Sequence, residues 1–84
     1  MNRRRLLKRL VEGRLHNVSF RDLVSLAEGF GFRLQRVSGS HHILAHPGIA
    51  QMLNLQDVQG EAKPYQIRQF LRLVERHALT LEED

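Results

Sequence analysis

The stretch Phe32-Arg33-Leu34-Gln35-Arg36-Val37-Ser38-Gly39-Ser40-His41-His42-Ile43-Leu44-Ala45-His46-Pro47 decides the fold. Phe32, Leu34 and Arg36 alternate with Arg33, Gln35 and Val37, the period of a β-strand whose two faces meet different surroundings. Ser38-Gly39-Ser40 then makes a tight turn, and His41 to His46 resumes the alternation. The stretch reads as an antiparallel hairpin with histidines along its second arm.

Downstream, Pro47-Gly48 closes that arm, and Met52 to Val58 reads as a third strand although Asn54 and Asp57 are poor strand formers. Gly60 to Lys63 reads as a loop. Pro64 suits the first turn of a helix, where its missing N–H leaves nothing unsatisfied. Ile67, Phe70, Leu71 and Val74 then mark the buried face of a helix ending near His77. Upstream, Gly29 and Gly31 end an earlier helix. Ser19-Phe20-Arg21-Asp22 opens it as a capping box, and Phe20, Leu23, Val24, Leu26 and Ala27 form its core stripe. Gly13 to Val18 is a connector. Before it, Arg3 to Glu12 carries Leu6, Leu7, Leu10 and Val11 at helical spacing, with arginines on the opposite side. The order helix, helix, three antiparallel strands, helix predicts an α+β domain spanning residues 1–84. Helices cover one face of a three-stranded antiparallel sheet and leave the other face open.

Eighty-four residues suffice for one domain with a thin core, and the absence of cysteine removes disulfides as a supplement. Thirteen Lys and Arg oppose nine Asp and Glu, and eleven of the thirteen are arginine, whose planar fork suits phosphate oxygens. A polyanionic partner is implied. Arg3, Arg4, Arg5, Lys8, Arg9 and Arg14 crowd the start, while Glu82-Glu83-Asp84 reads as a solvated acidic end. No apolar run approaches a membrane span, and no apolar stretch follows the basic start as a secretory signal would, so a cytoplasmic protein without membrane contact is expected. Neither a Walker motif nor a dinucleotide fingerprint nor a nucleophile elbow is present, so no cofactor is implied.

Three of the five histidines fall between residues 41 and 46, and three readings compete for them. As metal ligands, His42 and His46 would stand about 13 Å apart on a strand, too far to share an ion, with His41 on the opposite face; no metal site is expected. They could equally be surface residues of an ordinary hairpin. The third reading is acid–base catalysis of RNA cleavage, since imidazole exchanges protons near neutrality and RNA carries its own nucleophile in the ribose 2′-OH. Strand scission then needs a proton acceptor, a proton donor and positive charge, and no serine, cysteine or metal. Arg33 and Arg36 flank the hairpin as candidate phosphate contacts. Arg68, Arg72 and Arg76 form a ridge on the last helix that could lie along phosphates or simply face solvent. Lys63 adds a cation at that helix's N-terminus. Phe20, Phe30, Phe32 and Phe70 read as core, and Tyr65 as a contact for a base or a protein.

Gly39-Ser40-His41-His42 followed by Ile43-Leu44-Ala45-His46-Pro47, with a helix upstream and a C-terminal helix opened by Lys63-Pro64, resembles the HicA-type messenger-RNA interferase toxins of bacterial toxin–antitoxin pairs. The resemblance covers residues 19–79. It implies a fold similar to the double-stranded-RNA-binding domain, ribosome-independent endoribonuclease activity on mRNA, and a HicB-type antitoxin as protein partner. It also implies that His42, in the fourth position of Gly-Ser-x-His, is the catalytic histidine, with Gly39 and Ser40 forming the turn that positions it and His46 as possible support. The basic helix at residues 1–14 is additional to the family's usual extent and could serve the core, RNA or a partner. A binding module of the same fold that recognises RNA without cutting it is the competing reading, and a regulatory domain without catalysis is a third.

Overall fold

A computed structural model describes residues 1–82, so Glu83 and Asp84 of the acidic end lie outside the described residues. The elements are α1 (Arg3–Val11), β1 (Val18–Ser19), α2 (Phe20–Gly29), β2 (Arg33–Ser38), β3 (His41–His46), β4 (Ile49–Gln56), β5 (Glu61–Ala62) and α3 (Pro64–Arg76). Strands β2, β3 and β4 form an antiparallel sheet in that order, and β1 pairs with β5 in a second, two-stranded one. The architecture is the expected α+β arrangement of three helices and a three-stranded antiparallel sheet.

The first hairpin follows from its turn. Ser38 pairs with His41, leaving Gly39 and Ser40 as a two-residue loop. Gly39 has φ 60° while Ser40 keeps an ordinary negative φ, the pattern of a II′ turn, whose twist matches that of the strands. Pro47 and Gly48 make an equally short second turn, since His46 pairs with Ile49. The third strand therefore begins at Ile49 and ends at Gln56, displaced from the expected Met52 to Val58. Ala50, Gln51 and Met52 are exposed in succession where the β3–β4 register shifts, so the alternation that marks a strand is missing at its start.

Two segments expected as connectors pair with each other instead. Val18 lies opposite Ala62 and Ser19 opposite Glu61. Two-residue strands carry no periodicity of their own, and only the closure of the chain around α2 brings them together. The pairing is functional for α2: the Phe20 N–H donates to the Gly60 carbonyl at 2.8 Å, and Ser19 Oγ accepts the Asp22 N–H at 3.4 Å as N-cap.

The core lies between the helices and one sheet face. Leu44, Leu53 and Leu55 from the sheet meet Leu23 and Leu26 of α2 and Ile67, Phe70 and Leu73 of α3 in one buried cluster. Phe70 stands edge-on to both Phe30 and Phe32, with ring centroids 5.7 and 6.1 Å away. Leu6 and Leu10 of α1 belong to the same cluster, so the added helix packs into the core. Val11, read as part of that stripe, is the last residue of α1 and is 69% exposed. Strand β2 is exposed along its whole length; Leu34 opposes Leu44, yet no helix covers the sheet edge on which it sits. No helix among the described residues is long and apolar enough to cross a membrane.

His46 locks the second turn to the end of α2. Its Nδ1 accepts the Gly48 N–H at 3.0 Å, so the neutral ring carries its proton on Nε2, which donates to the Phe30 carbonyl at 3.1 Å. Gly31, with φ 101°, lets the chain pass directly beneath this ring; a Cβ there would stand 2.9 Å from His46 Nε2. Gly31→Ala therefore combines backbone strain with displacement of the imidazole. A loss of about 2 kcal/mol is expected, read as a melting temperature lower by roughly 10 °C in a domain of this size.

Candidate active site

The II′ turn delivers His41 and His42 to the start of β3, where alternation sends them to opposite faces. His42 lies opposite Val37 and Leu55, and His41 opposite Ser38 and Gln56. Leu55 is fully buried, so His42 shares the helix-covered face. There its ring meets Phe20 of α2 edge-on, centroids 4.7 Å apart at 65°. His41 faces the open side, its Nδ1 3.1 Å from Asn54 Oδ1.

His42 is half-buried and lines a recess of about 300 Å³ at the edge of the helix layer. Phe20 and Val24 give the recess an apolar side, while Arg21, Ser25, Glu28 and Asp57 bring charge and hydrogen-bonding groups. His42 Nδ1 lies 3.4 Å from the Ser40 carbonyl, an oxygen that accepts only. The partner assigns the Nδ1–H tautomer to the neutral ring and leaves Nε2 as the basic nitrogen.

Ser40 is itself held from several sides. Its carbonyl also accepts the Asp57 N–H at 2.8 Å, and its Oγ accepts from Gln56 Nε2 at 3.3 Å. The Gln56 N–H in turn donates to Oε1 of Gln66 at 2.6 Å. Gln66 is 5% exposed, a buried polar side chain of α3 whose oxygen is engaged. Bonds thus run from α3 through the end of β4 to the turn that presents His42. Asp57 closes the other side, its Oδ1 accepting the Gly60 N–H at 2.7 Å.

Other sequence-named residues are placed elsewhere. His46 sits at the far end of β3 with both ring nitrogens engaged, as a clasp outside the His42 recess. Gly39 has no atom within 4 Å of where a Cβ would stand, so its positive φ alone calls for glycine. Arg36 opposes Ile43 and therefore projects from the face opposite to His42. Arg33 donates to the Phe32 carbonyl at 2.9 Å and lines a polar cleft with Arg3, Glu28 and Glu82. Lys63 is the exposed N-cap residue of α3 and makes no side-chain capping bond. Arg68 and Arg72 are exposed on α3 and line a different groove, which shares no residue with the recess. Among the described residues no three His, Cys, Asp or Glu side chains gather as a metal site.

Arg21, Gln56 and Gln66 were not visible as site residues. Arg21 sat within a capping box, where only its neighbours carried a signal. Gln66 had one: it stands four residues before Phe70, on the buried stripe, where a polar residue signals a hydrogen-bonded partner inside the fold.

A family model described as the HicA toxin of bacterial toxin–antitoxin matches residues 20–75, from the start of α2 almost to the end of α3. No curated protein and no solved structure matches the chain.

Proposed function

The chain belongs to the HicA toxin family, and from that premise we propose that it is an mRNA-cleaving endoribonuclease that works without metal, with His42 Nε2 as its proton-transfer atom. The observation that carries this reading is the half-buried imidazole at an open recess, oriented by Ser40 on one nitrogen and by a T-shaped contact with the Phe20 ring. A ring sealed in the core could not meet a polynucleotide, and a fully solvated one would not be held.

In the proposed step the neutral Nε2 takes the proton of a ribose 2′-OH as its oxygen attacks the adjacent phosphorus. The P–O5′ bond breaks, leaving a 2′,3′-cyclic phosphate on one fragment and a 5′-hydroxyl on the other. The imidazolium so formed holds the proton that the departing 5′ oxygen requires. Arg21 shares the recess and supplies positive charge to the phosphorane-like transition state. Arg33, whose cleft shares Glu28 with the His42 recess, and Lys63 are proposed to hold flanking phosphates; Arg36, which projects from the opposite face and lines neither concavity, has no such role. Ser40 and Gln56 act by positioning His42, and His46 by fixing the hairpin that carries it. Activity of this kind on cellular mRNA places the protein in the cytoplasm, with a HicB-type antitoxin to restrain it.

Purified protein incubated with a long single-stranded RNA in excess EDTA tests the reading. The expected products carry 2′,3′-cyclic phosphate and 5′-hydroxyl ends. Fragments with 5′-phosphate ends, or cleavage abolished by chelation, would mean attack by an activated water and sink the mechanism. Salt-sensitive binding without products would make the chain an RNA-binding module.

A further inference from the structure

A concavity of about 720 Å³ lies away from His42, between α1 and α3. Its floor is aliphatic: Leu7 and Val11 come from α1, Leu71 and Val74 from α3, and Leu79 and Leu81 from the segment after α3. Val11 is 69% exposed there, a large apolar side chain left open on a helix otherwise dominated by cations. Arg68 and Arg72 line the same groove, with Glu75 as the opposing charge among the described residues. One wall, built by α1 and residues 79–81, lies outside the family match at 20–75, so the groove arises where this chain's added parts meet the family core.

We propose that this groove is a docking site for an acidic amphipathic helix of a partner protein. The aliphatic floor offers nothing to a phosphate backbone, and its one aromatic, Phe30, is 4% exposed and unable to stack on a base. The walls are helices and a tail whose Leu79 and Glu82 N–H groups donate to Val74 and Gly29 carbonyls, so no free strand edge invites β-addition. A second copy meeting this face about a two-fold axis would set the arginine rim against itself, and like charges in apposition oppose association. An incoming helix with leucines along one stripe and carboxylates beside them satisfies both floor and rim. Its docking leaves the His42 recess uncovered and does not depend on the nuclease reading.

The probe is a synthetic helical peptide of about five turns, with leucines at i, i+3, i+4 and i+7 and glutamates flanking them; its control has lysine for every glutamate. Fluorescence anisotropy with the full chain is expected to show the acidic peptide binding at least about tenfold more tightly than its basic twin. Val11→Asp, at an exposed position that leaves the fold intact by thermal melting, is expected to weaken that binding by about tenfold and to leave RNA cleavage unchanged. The pair Arg68→Glu and Arg72→Glu is expected to reverse the preference between the two peptides. Equal binding of the peptides, no binding, or indifference to Val11→Asp overturns the proposal. So does self-association that Val11→Asp abolishes, which assigns the face to a second copy. Loss of RNA binding in the arginine pair with peptide binding intact assigns the ridge to RNA and overturns it as well.

Discussion

Replacing His42 with alanine is expected to lower the rate of RNA cleavage by about 10²- to 10⁴-fold, the usual worth of a positioned acid–base group. The substitution also removes a ring that packs edge-on against Phe20 at 4.7 Å. Aromatic pairs of this kind contribute about 0.5–1.5 kcal/mol, and in a domain this small 1 kcal/mol moves the melting temperature by about 4–8 °C. The alanine variant therefore melts several degrees early for reasons unrelated to chemistry. His42→Phe separates the two effects, because it restores an edge contact with Phe20 while offering no nitrogen to exchange a proton. Both variants, assayed well below their melting temperatures, are expected to be equally inactive, with affinity for RNA close to that of the parent. His41→Ala is the control on the neighbouring position: its ring faces the open side of the sheet beside Asn54, and cleavage by that variant is expected at the parental rate. If His41→Ala were inactive and His42→Ala active, the chemistry would belong to the open face and the assignment would fall.

That contrast between adjacent histidines was legible in the sequence, because strand alternation needs only a strand, and Gly39-Ser40 announced where the strand begins. Strand β3 accordingly spans the His41–His46 anticipated for it, and the helices over Ser19–Glu28 and Pro64–His77 were visible from cap and stripe. What failed to show was whatever depends on distant parts of the chain. The pairing of Val18–Ser19 with Glu61–Ala62 joins two dipeptides with no pattern of their own. The start of β4 was hidden by three exposed residues in a row. Arg36 looked close to His42 because it is near in sequence, but the two-residue turn pairs Val37 with His42 and Arg36 with Ile43, and alternation puts Arg36 on the other face. His46 read as support for His42; only the Phe30 carbonyl and the Gly48 N–H, brought in by the end of α2 and by the turn, reveal a ring with both nitrogens engaged.

Phe20 joins fold and site in one side chain, and its substitution is expected to have a large effect on stability. The ring is 4% exposed within the core cluster, stands at the first turn of α2 directly after the Ser19 cap, and forms the wall against which His42 rests. Phe20→Ala removes that volume at a cost of about 3–5 kcal/mol, a large share of the total for a small domain. A fall in melting temperature of about 15 °C or more is expected, and loss of activity in that variant reports unfolding as much as chemistry. Phe20→Leu is the informative change. Leucine refills most of the space, so the variant folds at 25 °C, but it offers no aromatic edge to fix the imidazole. Because the His42 Nδ1–Ser40 contact is long at 3.4 Å, it cannot hold the ring alone, and His42 gains rotamers that point Nε2 away from the scissile bond. The turnover number should therefore fall by about tenfold or more, while KM, set by phosphate contacts that the substitution does not touch, stays near the parental value. A folded Phe20→Leu variant that cleaves RNA at the parental rate would show that Ser40 and Gln56 orient His42 unaided, and that the aromatic wall serves only the core.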